Sequence, residues 1–222
     1  MILSRTRTGS TMLLSLLNSH PNVYAEGEIF RALNGRNYKD ILTKVYTKLP
    51  SYIKAKGFKI FYFDPIDDDS NNIWGDLISM EDLWVIHLKR RNILRTILSR
   101  KIAGTQGVWA VWSAKEQNSD KDKAVSFTKE ELEQSFINTR DAEEKGNKDF
   151  NKHTLLTVYY EDLVTNTEDE FRKIFDFLGV ECVLPKTNSR KQNSESLTYL
   201  IKNYDELKLA FTGTKWQDFF DV

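Results

Sequence analysis

Residues 2–17, "ILSRTRTGSTMLLSLL", pass from a short apolar run through a hydroxyl-rich basic turn into an apolar helical stretch. A strand that feeds a helix in this way is half of a β-α-β unit, and the theme recurs. "GFKIFYFDP" at 57–65 is a strand bounded by Gly57 and Pro65. "DLWVIHLKR" at 82–90 is a near-continuous apolar run that leads into the basic helix "RNILRTILSRKIA", and "TLLTVYY" at 154–160 is a third such run. Strands of this kind alternating with helices imply a parallel sheet covered on both faces, with ligands at the carboxyl ends of its strands.

Local signals fill in part of the frame. Pro21 in "HPNVY" ends the first helix. In "TNTEDEFRKIFDFLGV", Thr167 and Glu170 have capping-box spacing, Phe171, Ile174, Phe175 and Leu178 form an apolar stripe, and Gly179 closes the helix. The middle of the chain, about 104–150, opens with "GTQGVWAVW", runs through the charged "SAKEQNSDKDKAVS" and continues as a solvated helix over 129–145. It reads as a helical lid inserted within a single domain spanning 1–222.

The chain has 222 residues, enough to bury roughly 70% of its unfolded surface. Its 32 basic and 32 acidic side chains cancel, so no global field favours nucleic acid or an anionic membrane, and any anion site must be local. Cys182 is the one cysteine; with three histidines it supplies neither a disulfide nor a zinc spacing. No apolar run approaches the ~20 residues of a membrane span, and the chain opens on a strand rather than a signal segment. These features read as a soluble, cytoplasmic protein without a metal.

The turn after the first strand has the makings of an anion cradle. Gly9 lets backbone approach a ligand, and the amides of Ser10, Thr11 and Met12 stand at a helix start where they can donate to an anion. Ser10 and Thr11 add hydroxyls, and Arg5 and Arg7 add charge. Ordinary helix capping is the competing explanation for those hydroxyls. A triphosphate-binding loop is not, because G-x-x-x-x-G-K-[ST] is absent.

A second local excess lies at Lys89–Lys101, which carries Lys89, Arg90, Arg91, Arg95, Arg100 and Lys101 and no acid. Arg91, Arg95 and Ser99 recur every four residues as one polar stripe, with Leu94, Ile97 and Leu98 turned to the core. An arginine and a serine so placed can clamp a second phosphate; a solvated basic face is the plain alternative.

Taken together, the two elements resemble the paired cofactor loops of the sulfotransferase family that uses 3′-phosphoadenosine-5′-phosphosulfate (PAPS), in particular its carbohydrate-modifying and bacterial branch. "TRTGST" matches Pro-Lys/Arg-x-Gly-Ser/Thr-Thr from Arg7 onward, with Thr6 in place of proline. "RNILRTILS" keeps Arg91, Asn92 and Ser99 of Arg-Asn-x-x-Asp-x-x-x-Ser but has Arg95 at the acidic position. "YYEDLVTNTEDEFRKIFDFLGV" resembles the family's Tyr-Glu-Asp-Leu strand end and its following helix, and "HPNVYAEGEIF" the segment after its first helix.

The resemblance implies a three-layer, P-loop-like central parallel sheet flanked by helices, an α/β fold. It also implies transfer of a sulfuryl group from PAPS to a hydroxyl of a carbohydrate or other small metabolite, leaving adenosine 3′,5′-bisphosphate. Thr8, Gly9, Ser10, Thr11 and Met12 would hold the 5′-phosphosulfate, and Arg91 and Ser99 the 3′-phosphate. Lys191, beside Arg190 in an incomplete Arg-Lys-Gly pattern, would join them. Arg7 takes the place of the catalytic cation, which is matched to charge developing on the leaving oxygen.

The general base would be a Glu after the first helix. Glu28 is preferred because Ile29 and Phe30 would desolvate it and raise its pKa; Glu26 is the reserve. "FKIFYFDP" ends in Asp64 rather than the His of the family's cytosolic branch. His87, inside an apolar strand, and His20, before Pro21, read as structural. A role for Lys59 near the sulfate stays open, and Trp109 and Trp112 either stack on a ring or pin the lid. Two other functions remain: a P-loop phosphotransferase, and a nucleotide-binding module without chemistry.

Overall fold

The computed structural model describes residues 1–47, 50–70, 72–107, 123–183 and 195–221. In chain order its elements are β1 (Ile2–Ser4), α1 (Ser10–Asn18), β2 (Val23–Glu26), α2 (Tyr38–Val45), β3 (Ala55–Phe61), α3 (Asn72–Ser79), β4 (Val85–Lys89) and α4 (Ile93–Gln106). There follow α5 (Lys129–Asp149), β5 (Leu155–Tyr159), α6 (Tyr160–Thr165), α7 (Thr167–Phe177), α8 (Leu197–Leu200), α9 (Tyr204–Phe211) and a 3-10 turn at Gln217–Phe220. The chain divides into two compact units, Met1–Lys89 with Glu143–Thr187, and Arg90–Ala142 with Asn188–Val222. The stretch 104–150 is therefore shared between them.

The first unit is a five-stranded parallel sheet in the order β2-β3-β1-β4-β5, flanked by helices as the α/β reading requires. Alternate strand residues serve opposite faces. Ile2, Ile86, Leu88 and Val158 pack with Leu13, Leu16 and Leu17 of α1 and Phe171, Ile174 and Phe175 of α7. Leu3, Phe58, Ile60 and Val85 pack with Ile41 and Val45 of α2 and Ile73 and Leu77 of α3. Within this unit the end of α5 lies against the sheet at Gly146, where a Cβ would stand 3.0 Å from Leu3 Cδ2 and 3.1 Å from His87 Cε1.

The second unit is helical and built around Phe136, whose ring meets Phe211, Trp216 and Phe219 at centroid distances of 5.6, 5.4 and 5.0 Å. Ile93, Leu94, Ile97, Leu98 and Ile102 of α4 face this core, as the sequence periodicity predicts. Val125 and Ile201 form a single parallel bridge beside it.

Several local expectations change. The strand expected at 57–65 ends at Phe61, because Asp64 folds back to hold the Phe61 amide. The α5 helix runs to Asp149 rather than 145. Gly179 does close α7, at φ 65°, but the Thr167–Glu170 capping box does not form. Thr167 is already helical and donates to the Leu163 carbonyl at 2.7 Å, while Glu170 takes Lys173. The short alternating strand β2 was hidden in "NVYAE". Among the described residues no helix is long and apolar enough to cross a membrane.

Candidate active site

The turn between β1 and α1 is held by its own hydrogen bond, from the Thr8 hydroxyl to the Arg5 carbonyl. It contains two left-handed residues, Arg7 at φ 68° and Gly9 at φ 93°. The cap position of α1 falls on Gly9 and no side chain caps the helix, so Ser10 and Thr11 are not spent as ordinary caps. The ring of Tyr160, at the start of α6, lies directly on Gly9: a Cβ there would be 2.3 Å from Tyr160 Cδ2. Beneath the turn, at the end of β1, the Ser4 hydroxyl is fully buried and has no hydrogen-bond partner among the described residues. A cradle of this shape admits an anion close to backbone, with the N-terminal end of α1 behind it.

The β1–β3 register pairs Ile2 with Lys59 and so turns Lys59 to the α1 face. Its ammonium donates to Glu28 Oε1 at 2.9 Å and lies 3.4 Å from Thr11 Oγ1. The Lys59 side chain is 3% exposed, whereas that of Glu28 is 44% exposed. A buried cation thus joins the cradle to the candidate base. The expected desolvation of Glu28 does not occur: Phe30 is wholly in the core on the α2–α3 side and Ile29 packs against that cluster. Glu28 is instead a half-exposed carboxylate anchored on an ammonium. Glu26, at the end of β2, accepts from the Tyr24 hydroxyl at 2.6 Å. Asp64 is buried and structural, paired with Arg31 at 2.8 Å. Burial raises its pKa against the opposing pull of the Phe61 amide and Arg31.

Both histidines are hydrogen-bonded within the fold, as expected of structural residues. His20 bridges the Glu181 carbonyl at 2.7 Å and the Asn22 amide at 3.0 Å. His87 is fully buried between the Tyr62 hydroxyl (2.7 Å to Nε2) and Asn147 Oδ1 (2.9 Å to Nδ1), and Lys89 Nζ reaches the same Asn147 oxygen at 2.9 Å. Asn147 Oδ1 can only accept, so Nδ1 carries the proton and Nε2 accepts from Tyr62. Desolvation, followed by the Lys89 charge, pushes His87 down to about 4.

A pH dependence follows. The unfolded histidine takes its proton near 6.5 and the folded one only near 4, so stability is lost as pH falls through that window, by on the order of 3 kcal/mol. Denaturant titrations at pH 7 and pH 4.5 are expected to show this loss, and His87→Gln to flatten it. An unchanged pH slope in that variant would remove His87 as its origin.

In the second unit, Arg91 is exposed and precedes Asn92, whose side chain caps α4 through the Arg95 amide at 3.1 Å. Arg95 donates to the Glu195 carbonyl at 2.9 Å, and Ser99 is buried, so the expected stripe is not a uniformly solvated face. Lys191 and Arg190, Trp109 and Trp112 lie outside the described residues. The structure thus gathers Thr8, Gly9, Ser10 and Thr11 with Glu28 and Lys59 in one unit, and carries Arg91 and Ser99 on the other. Sequence reasoning did not assign Lys59 or Tyr160 to the cradle. A lysine amid the apolar "GFKIFYF" was the available signal for the first, and nothing local marked the second.

The chain is similar to Nodulation protein H of Rhizobium tropici, at 27% identity over 240 aligned positions that cover all of this chain and 92% of that protein. Nodulation protein H of Rhizobium meliloti (strain 1021) is 23% identical across the whole chain and 94% of its own length. A sulfotransferase from Alicyclobacillus acidocaldarius has the same fold, with a TM-score of 0.55 at 13% identity over 95% of this chain and 90% of that one. Residues 81–183 match the model of the sulfotransferase family. These similarities support a sulfotransferase family for the chain. The segment matching the sulfotransferase model runs from β4 to just past α7 and so includes Tyr160 but not the cradle it covers.

Proposed function

We propose that the chain transfers a sulfuryl group from PAPS to a hydroxyl of a carbohydrate or other small-metabolite acceptor. The observation that carries this reading is the buried Lys59 ammonium, which bridges Thr11 in the cradle and Glu28 beside it. Similarity to the sulfotransferase family supports a transferase reading, and the cradle supports an anion-binding one. The residues present fit such a donor: Gly9 takes the left-handed conformation of the turn, Ser4 offers an orphaned hydroxyl, and Lys59 and Arg7 supply charge.

When bound, the donor supplies a sulfuryl group on a phosphate leaving group. Thr8, Gly9, Ser10, Thr11 and Met12 would hold its phosphosulfate end. Arg91, Ser99 and Lys191 are assigned its 3′-phosphate on the sequence match alone. Arg7, always charged, would stabilise negative charge on the leaving oxygen. Glu28 would take the acceptor proton, with Lys59 fixing the carboxylate it uses. Orientation of the carboxylate by the ammonium is what this site is asked to supply.

Thermal stabilisation by adenosine 3′,5′-bisphosphate tests the reading. At 100 times its dissociation constant a ligand of the native state adds ~2.7 kcal/mol, several degrees of Tm for a chain of this size. No shift with the bisphosphate, together with a magnesium-dependent shift with ATP, would replace this reading with that of a phosphotransferase.

A further inference from the structure

The connection leaving β3 carries two apolar side chains turned to solvent, Phe63 and Ile66, each 58% exposed. Single exposed apolar residues are commonplace. What distinguishes this pair is the fixity of the loop beneath it. Asp64 accepts the Phe61 amide at 2.9 Å and Arg31 Nη1 at 2.8 Å, and its carbonyl takes Trp74 Nε1 at 2.8 Å. The Ile66 amide donates to the Arg31 carbonyl at 3.0 Å, and the Asp67 carboxylate accepts the Leu33 and Asn34 amides, each at 2.7 Å. The same clamp reaches the candidate base, because the Arg31 amide donates to the Glu28 carbonyl at 3.1 Å. Ile66, Asp64 next to Phe63, and Glu28 therefore belong to one hydrogen-bonded framework.

We propose that Phe63 and Ile66 form the acceptor ledge, and that they take a sugar ring laid with its C–H face on Phe63. The assignment rests on the sulfotransfer reading above and gives its acceptor a class. One face of a pyranose presents weakly positive C–H bonds, which suit the negative face of an aromatic ring, and its rim carries hydroxyls. Glu28 and Arg31, whose side chains are partly exposed, supply an acceptor and donors for that rim. A flat aryl alcohol would use the ring but leave most of that polar rim unused. Because the loop is already clamped, binding costs little ordering entropy.

Saturation-transfer NMR on the intact chain, saturated with adenosine 3′,5′-bisphosphate, tests the ledge. The probes are the β-1,4-linked tetramers of glucose and of N-acetylglucosamine, the α-1,4-linked tetramer of glucose, and 4-nitrophenol. At least one sugar is expected to bind, with the protons of one ring face most strongly saturated. Its dissociation constant should rise at least ~10-fold in Phe63→Ala and a few-fold in Ile66→Ser, while the nucleotide-induced Tm shift is kept. The ledge is wrong if no sugar binds, if binding ignores Phe63→Ala, or if nitrophenol alone binds in a Phe63-dependent way. The Tm shift in the same samples separates the two readings. Its absence from the wild-type protein removes the sulfotransfer proposal, and its presence with ledge-insensitive binding removes only the ledge.

Discussion

Glu28→Gln is expected to lower kcat by ~10²–10⁴-fold while leaving stabilisation by adenosine 3′,5′-bisphosphate intact, since a positioned general base contributes on that scale. Glutamine is the informative replacement. Its amide oxygen can still accept from the buried Lys59 ammonium, which Glu28→Ala would leave without that acceptor as well as without the charge. A fall in turnover with preserved folding and nucleotide binding then reports proton abstraction alone. Turnover within twofold of wild type would dismiss Glu28, and Glu26→Gln would be the next variant to assay. Lys59→Met adds a second reading: if the ammonium orients the base, kcat falls in that variant although Glu28 is still present.

Gly9→Ala is expected to cost on the order of 2–4 kcal/mol and to abolish nucleotide-induced stabilisation. Part of that is backbone: φ 93° is a left-handed conformation, which charges an L side chain ~1 kcal/mol or more. The rest is overlap, since the new methyl would sit 2.3 Å from Tyr160 Cδ2 and 2.8 Å from Cε2, and such overpacking typically costs ~1–3 kcal/mol. Tyr160→Ala in the same chain should relieve the overlap but not the backbone term, giving a coupling between the two sites that denaturant titration can read. Equal stability of Gly9→Ala and wild type would mean that the turn is not built as described.

How much of this was legible before the structure can be judged from particular residues. Parallel sheet and flanking helices followed from the repeated apolar runs, because a strand buried on both faces has little choice of residue type. The cradle followed from Gly9 and the hydroxyls after it. The partner of Glu28 did not, because which face Lys59 takes depends on strand register, and register is a property of the pair rather than of either strand. Flanking apolar residues suggested desolvation of Glu28, but adjacency in sequence does not decide direction: Phe30 turns into the core and Glu28 turns away. The Thr167–Glu170 box failed for a related reason. A preceding short helix supplies a carbonyl that Thr167 prefers, and motif spacing carries no information about what precedes it.

The contact between Gly9 and Tyr160 bears on how the protein is made. Gly9 leaves the ribosome well before the ring that covers it, which arrives only after β5 has been synthesised, some seconds later at ~5–20 residues per second. A nascent chain halted before α6 would hold β1, α1 and the lysine of β3 yet lack the wall of its own cradle. Closure of the turn would then come late in translation, set by a contact between two stretches of the first unit that lie far apart in sequence.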